Sequence, residues 1–147
     1  MKRTERMNMV AEFADARADK ARLQFAEQQQ RVVQEELRLT ELCRFRDEYA
    51  NLLTEGKEVD VLQLLNHRQF LQRLNEAIAF QTHQVESYRT HLVQKNLHLR
   101  EAHGRAKALE NVAKRMSTQD QHAKDRHEQA QTEDFIQGKN SELWSKE

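Results

Sequence analysis

The stretch of sequence that decides the fold reads LQRLNEAIAFQTHQVESYRTHL and covers residues 71–92. Its apolar side chains recur at alternating steps of three and four residues, broken only by Gln81. A seven-residue repeat of this kind specifies a helix that buries a narrow apolar seam against a partner helix. The seam positions extend in both directions from this stretch, with His67, Gln81 and Lys95 as polar interruptions, and they are Leu64, Leu71, Leu74, Ile78, Val85, Tyr88, Leu92, Leu99, Ala102, Ala106, Leu109, Ala113 and Met116.

A second stripe with the same spacing precedes a short break at residues 54–60. Gln28, Glu35 and Arg46 are its polar exceptions, and its apolar members are Met7, Ala11, Ala14, Ala18, Ala21, Phe25, Val32, Leu39, Leu42, Tyr49 and Leu53. Each helical arm is the obvious partner of the other. The sequence therefore predicts an all-α fold, a long two-helix antiparallel coiled-coil hairpin over residues 1–116, with residues 117–147 as an unpaired helical or frayed extension.

The residues of the break are suited to a tight turn. Gly56 is the only glycine before Ala102, and it lies where the end of a helix favours a left-handed residue. Asp60 with Gln63 forms a plausible capping box at the start of the second arm. A turn centred near Lys57 places residue i opposite roughly residue 115 − i.

Composition favours solvated helices over a globule with a large core. Charged residues make up 33% of the 147-residue chain, glycine occurs three times and proline is missing from the sequence. The formal net charge of zero argues against a dedicated nucleic-acid binder. No apolar run approaches the roughly 18 residues of a membrane span, and the lone Cys43 fits a reducing compartment, so we expect a cytosolic protein.

Neither a catalytic nor a metal site is indicated. No two of the seven histidines have the i,i+3 or i,i+4 spacing that presents two ligands to one metal ion from a helix. Cys43 has no histidine in its own helical turn, and the sequence has no glycine-rich phosphate loop and no nucleophile elbow. We therefore expect a protein that is not an enzyme and that uses no cofactor.

Three groups of residues are candidate partner-binding positions. Basic residues outnumber acidic ones between Arg89 and Arg115, which indicates either an ordinary solvated face or a stripe for an acidic protein surface. Near the C-terminus, exposed apolar residues favour either docking into a groove of another protein or a frayed end. Near the turn, two phenylalanines lie beside the strict seam, as flanking core residues or as exposed anchors. The candidates are Arg89, Lys95, Arg100, Arg105 and Lys107; Phe135 and Ile136; and Phe45, Phe70 and Leu71.

Several short motifs resemble the flagellar export protein FliJ family. They are Leu42-x-x-Phe45-Arg46-x-Glu48-Tyr49, then Arg68-x-Phe70-Leu71-x-x-Leu74-x-x-Ala77-Ile78-x-x-Gln81, Lys107-x-Leu109-Glu110, Glu128-Gln129 and Asp134-Phe135. The likeness covers most of the chain, to about Phe135. Two features depart from it: the tail is rich in His and Gln, and Trp144 lies outside the matched part.

The resemblance implies a cytosolic stalk of the flagellar type III export apparatus, peripheral at the inner face of the cell membrane. Proteins of this family are understood to occupy the central pore of the hexameric export ATPase FliI, to contact the export gate protein FlhA, and to cycle export chaperones. Carried onto this chain, the N-terminal helix and the segment after Met116 would face the ATPase. Phe70, Leu71 and nearby residues would face the gate.

Other readings of the same stripe stay open. An injectisome stalk shares the architecture, a generic coiled-coil scaffold or chaperone would use the hairpin to grip clients, and a homodimer of long helices would bury the same seam. The predicted turn favours a monomer.

Overall fold

Two long helices make up the described part of the chain. The computed structural model describes residues 2–54 and 60–145, with α1 at Arg3–Thr54 and α2 at Val61–Ser145 and no strand in those ranges. The helices pack against each other as a helical hairpin, which confirms the predicted fold class. Gly56 and the rest of the predicted turn lie outside the described residues.

A capping contact marks the start of α1, and the first backbone hydrogen bond of the helix marks the start of α2. At the start of α1, the backbone N–H of Lys2 donates to a carboxylate oxygen of Glu5 at 3.4 Å, which is half of a capping box. At the start of α2, the backbone N–H of Leu64 donates to the carbonyl oxygen of Asp60 at 2.9 Å. Asp60 therefore holds the N-cap position that the sequence predicts for it.

The predicted seam positions are the ones that the fold covers. Every one of them from Met7 to Leu53 in α1, and from His67 to Met116 in α2, is buried or half-buried, including the polar interruptions. Leu64 is the exception and is 42% exposed. It lies in the first turn of α2, where the described residues do not enclose it.

The chain divides into two compact units, which we call the terminal unit and the turn unit. The terminal unit combines the residues up to Ala18 with those from Ala102 onward, and the turn unit is Asp19–Glu101. In the turn unit, Tyr49 bonds to His67, and the Gln28 side-chain amide donates to the Tyr88 carbonyl at 3.0 Å. These pairs fit the predicted antiparallel register to within one residue.

In the terminal unit, small side chains form the buried cluster. Ala14, Ala18 and Ala106 are its buried members, and Ala102 and Leu109 pack against them. The Thr4 hydroxyl donates to a carboxylate oxygen of Asp120. The register rule placed Thr4 opposite about residue 111, so at this end the partner residues lie farther along α2 than predicted.

From Ser117 onward, a stretch that includes Asp120, α2 continues as a helix with all its side chains exposed. Every residue from Ser117 to Ser145 is exposed. Side-chain pairs one turn apart support this part of the helix, such as Gln121 with Asp125 at 3.1 Å and Gln129 with Glu133 at 3.4 Å.

Candidate functional site

The heptad letters a to g describe which residues flank the seam, with a and d as the seam positions. Ala11 and Ala106 are a positions, and Ala14 and Leu109 are d positions. In an antiparallel pair, g positions of the two helices face each other on one side of the seam and e positions on the other. We call the first side the g flank, and it consists of the g positions and the neighbouring c positions. We call the second side the e flank, and it consists of the e positions and the neighbouring b positions.

Contacts in the turn unit show both flanks directly. The rings of Phe45 and Phe70, both at g positions, meet edge to face with centroids 6.3 Å apart. On the opposite side, Arg89 donates to the Glu36 carboxylate at 2.8 Å, and both residues are e positions. The predicted register places Phe45 opposite residue 70, so the aromatic pair follows from the sequence. It places Glu36 opposite about residue 79, so the pair with Arg89 does not.

An aromatic cluster on the g flank is the main candidate site of the turn unit. Tyr49, at a d position, packs against Phe70 with ring centroids 4.7 Å apart, and its hydroxyl bonds to the Nδ1 atom of His67. Phe45 remains 50% exposed and Phe70 is 39% exposed. The two phenylalanines therefore flank the seam and also present apolar surface to solvent, whereas Leu71 lies in the seam and is half-buried.

Tyr49 and His67 belong to this site although sequence analysis treated them as a core residue and a polar interruption. The contact between them could have been predicted, since both occupy d positions that lie close to each other in the predicted register. The hydroxyl–imidazole bond ties the two helices together directly beneath the exposed rings. The cluster is thus a rigid platform of aromatic side chains, and such side chains dominate binding hot spots in protein interfaces.

The structure distributes the candidate basic residues over different faces. Arg89 is paired with Glu36 across the e flank, and Lys95 is a half-buried d position of the seam. Arg100 and Lys107 are exposed b positions, and Arg105 is an exposed g position. These five residues therefore do not form one continuous stripe.

Near the C-terminus, the candidate apolar residues are exposed to solvent. Phe135 and Ile136 are exposed, as are Leu143 and Trp144. The Lys139 ammonium lies 5.0 Å from the centre of the Phe135 ring, a cation–π contact within one turn of the helix. Residues 132, 135, 136, 139 and 143 share one side of the helix, so the segment is amphipathic.

Residues 2–54 and 60–145 contain no group of three or more His, Cys, Asp or Glu side chains arranged to hold a metal ion. Cys43 is a half-buried free thiol. In the same ranges, neither helix has a segment long and apolar enough to cross a membrane.

One shallow cleft lies in the terminal unit, where α1 begins beside α2. Its lining includes Lys2, Arg3 and Thr4 from α1 and Met116, Asp120 and Lys124 from α2. The cleft is open to solvent and lies next to the Thr4–Asp120 bond. It is lined by polar groups of both charges.

Comparison with known proteins gives one family and no individual relative. Neither a curated protein sequence nor a solved structure matches the chain. The family model described as flagellar FliJ protein matches residues 1–138. That match includes the aromatic cluster and both compact units up to Gly138, and the chain belongs to the FliJ family.

Proposed function

We propose that this chain is the coiled-coil stalk of the flagellar export apparatus, which couples the export ATPase to the export gate and assists the cycling of export chaperones. Membership of the FliJ family implies a non-catalytic protein associated with flagellar export. The observation that carries the finer proposal is the burial pattern. Two helices of 52 and 85 residues cover a narrow seam and expose nearly everything else. Such a molecule acts through its outer surfaces.

The proposal assigns the gate contact to the aromatic cluster of the turn unit. Phe45 and Phe70 are exposed aromatic side chains that pack against each other, and Phe70 also packs against Tyr49. Rigid aromatic anchors lose little conformational entropy when a partner covers them. The FlhA-like gate protein would cover these rings, while Leu71 would support them from the seam.

A matched pair of variants tests this assignment. Phe45→Ala combined with Phe70→Ala removes two anchors, and we expect the affinity for the purified cytoplasmic part of the gate protein to fall by more than about tenfold. Phe80→Ala removes a more exposed phenylalanine that lies outside the cluster, and it should leave the affinity unchanged. Equal affinities for wild type and the double variant would overturn the assignment.

The proposal assigns the contact with the FliI-like hexameric ATPase to the terminal unit. Here α1 begins, and α2 continues beyond Met116 with every side chain exposed. The exposed apolar side of Phe135 and Ile136 is suited to helix-in-groove docking on a protein. The whole chain would work in the cytoplasm, at the inner face of the membrane that holds the export gate.

Hydrolysis by the purified ATPase tests this second contact. Wild-type protein should stimulate ATP hydrolysis, and deletion of residues 135–147 should weaken the complex. Phe135→Ser with Ile136→Ser should reproduce that weakening, whereas Gln137→Ser with Asn140→Ser should not, because the latter pair changes only polar exposed residues. Undiminished binding by the deletion variant would remove the C-terminal segment from the contact.

A further inference from the structure

The g flank of the terminal unit is basic where the two helices lie side by side. Within residues 3–17 and 105–129, the g and c positions include no carboxylate and are all exposed. They carry six cations, three from each helix, and these are Arg3, Arg6, Arg17, Arg105, Arg115 and Arg126. None of the six makes a salt bridge within the described residues 2–54 and 60–145. In the part of the chain that the structure describes, no ion pair therefore neutralises the positive charge of this flank.

The e flank of the same unit has a different balance of charge. Its e and b positions, over residues 5–15 and 103–128, hold five carboxylates against three lysines. The carboxylates are Glu5, Glu12, Asp15, Glu110 and Glu128, and the lysines are Lys107, Lys114 and Lys124. The near-zero net charge of the chain thus hides two oppositely charged sides in this unit. A negatively charged surface would attract the g flank and so orient the unit with this flank toward the surface.

Apolar side chains lie among these arginines. Phe13 is 68% exposed, and Val10 and Val112 are exposed g positions on the two helices. The guanidinium of Arg17 lies 5.8 Å from the centre of the Phe13 ring. None of the three apolar residues lines the cleft beside Thr4. The flank is therefore an open surface with an apolar centre and arginines on either side of it.

From this arrangement we propose that the g flank of the terminal unit docks directly on an anionic phospholipid surface. One arginine guanidinium group can bind two oxygens of the same phosphate. The anionic headgroups of a bilayer surround any side chain that inserts between them. Phe13 and the two valines enter the headgroup layer while the arginines bind phosphates around them, as in interfacial amphipathic helices. A third protein helix fits less well, because three apolar residues do not form a continuous seam and every arginine would need its own carboxylate.

The proposal does not rest on the ATPase contact. Both contacts use the terminal unit, so a chain on the membrane and a chain bound to the ATPase are alternative states. The lipid assay below contains no ATPase, and its outcome is independent of the stalk proposal.

Co-sedimentation of the purified full-length chain with lipid vesicles tests the proposal. We expect binding to vesicles of phosphatidylcholine with phosphatidylglycerol, no binding to pure phosphatidylcholine, and release as the salt concentration rises. Arg6→Gln, Arg17→Gln and Arg115→Gln together should lower the binding constant at least tenfold. The matched control, Arg100→Gln with Lys107→Gln and Lys114→Gln, removes the same charge from b positions and should bind nearly as well as wild type.

The apolar centre has its own pair of variants. Phe13→Ser should weaken vesicle binding severalfold, whereas Phe80→Ser, in the turn unit, should not. Circular dichroism establishes that each variant keeps its helicity. Absence of binding to anionic vesicles at low salt, or equal losses in the two triple variants, would overturn the proposal. The proposal would also be overturned if wild type did not bind vesicles and the g-flank triple variant lost ATPase binding. That result would identify the flank as a contact for a protein.

Discussion

Gln81 of α2 donates its side-chain amide to Glu35 of α1 twice, to the backbone carbonyl oxygen at 3.1 Å and to a carboxylate oxygen at 2.5 Å. Both residues interrupt the apolar seam. Gln81 is 9% exposed, and the Glu35 side chain is 13% exposed and also accepts a bond from Arg38 at 3.0 Å. This layer fixes which residues face each other, because a shifted register would leave the carboxylate without its amide.

Removal of the amide alone should therefore cost stability. We expect Gln81→Leu to lower the free energy of unfolding by about 1–3 kcal/mol, since the Glu35 carboxyl group stays in the seam and loses a hydrogen-bond donor. Urea unfolding followed by circular dichroism measures the change. The double variant Gln81→Leu with Glu35→Leu should recover most of the loss by restoring an apolar layer. A double variant less stable than Gln81→Leu would contradict this account, and exposed Gln72→Leu serves as the control.

The hydroxyl of Tyr49 offers a second test in the turn unit. Tyr49→Phe keeps the ring against Phe70 and removes the bond to His67, so the free energy of unfolding should fall by about 0.5–1.5 kcal/mol. Tyr88→Phe is the matched control, because the hydroxyl of this seam tyrosine makes no hydrogen bond within residues 2–54 and 60–145. Equal effects of the two substitutions on the denaturation midpoint would show that the Tyr49–His67 bond contributes nothing.

The alanine cluster of the terminal unit should not accommodate larger side chains without a loss of stability. Ala18 is 1% exposed and packs in one cluster with Ala14 and Ala106. Ala18→Leu forces extra volume into this contact, and we expect a loss of about 1–3 kcal/mol in the free energy of unfolding. Ala16→Leu, at an exposed position one half-turn away, should change it by less than about 0.5 kcal/mol. A stabilised Ala18→Leu protein would mean that the helices do not approach closely there.

Substitution of Gly104 should raise the free energy of unfolding. Gly104 lies in the interior of α2, and a Cβ atom built on it meets no atom within 4 Å. Gly104→Ala should raise the free energy of unfolding by about 0.5–1 kcal/mol by restricting the unfolded chain. Gly138→Ala, in the exposed end of α2, is equally free of clashes, but the cooperative transition should respond to it less. A destabilised Gly104→Ala variant in thermal or urea unfolding would refute the expectation.

The heptad stripe allowed the seam to be predicted almost residue by residue, because burial along a coiled coil follows the repeat alone. Leu64 departs from it since its environment depends on the end of the hairpin. The contact of Phe45 with Phe70 agrees with the predicted register, which places residue 70 opposite Phe45. The contact of Glu36 with Arg89 does not follow from it, because the sequence pattern gives the register between the helices only approximately. The basic g flank was missed for the same reason: its arginines are scattered in sequence and converge only when both helices are aligned.

The C-terminal end of α2 marks another limit of sequence reasoning. Residues 117–145 bury nothing, so no periodic pattern distinguishes a helix from a frayed segment there. Local pairs such as Gln121 with Asp125 accompany the helix in this part of the structure. The candidate partner residues Phe135 and Ile136 lie on the same side only because this part of the chain is helical.

The central claim, a stalk for the export ATPase, is tested most directly by native mass spectrometry of the ATPase titrated with this protein, with hydrolysis measured on the same samples. The account predicts a complex of six ATPase subunits with one copy of this chain, formed over the concentrations at which hydrolysis rises. Binding of one copy to each ATPase subunit, or assembly of the ATPase without any bound copy and without stimulation, would contradict it.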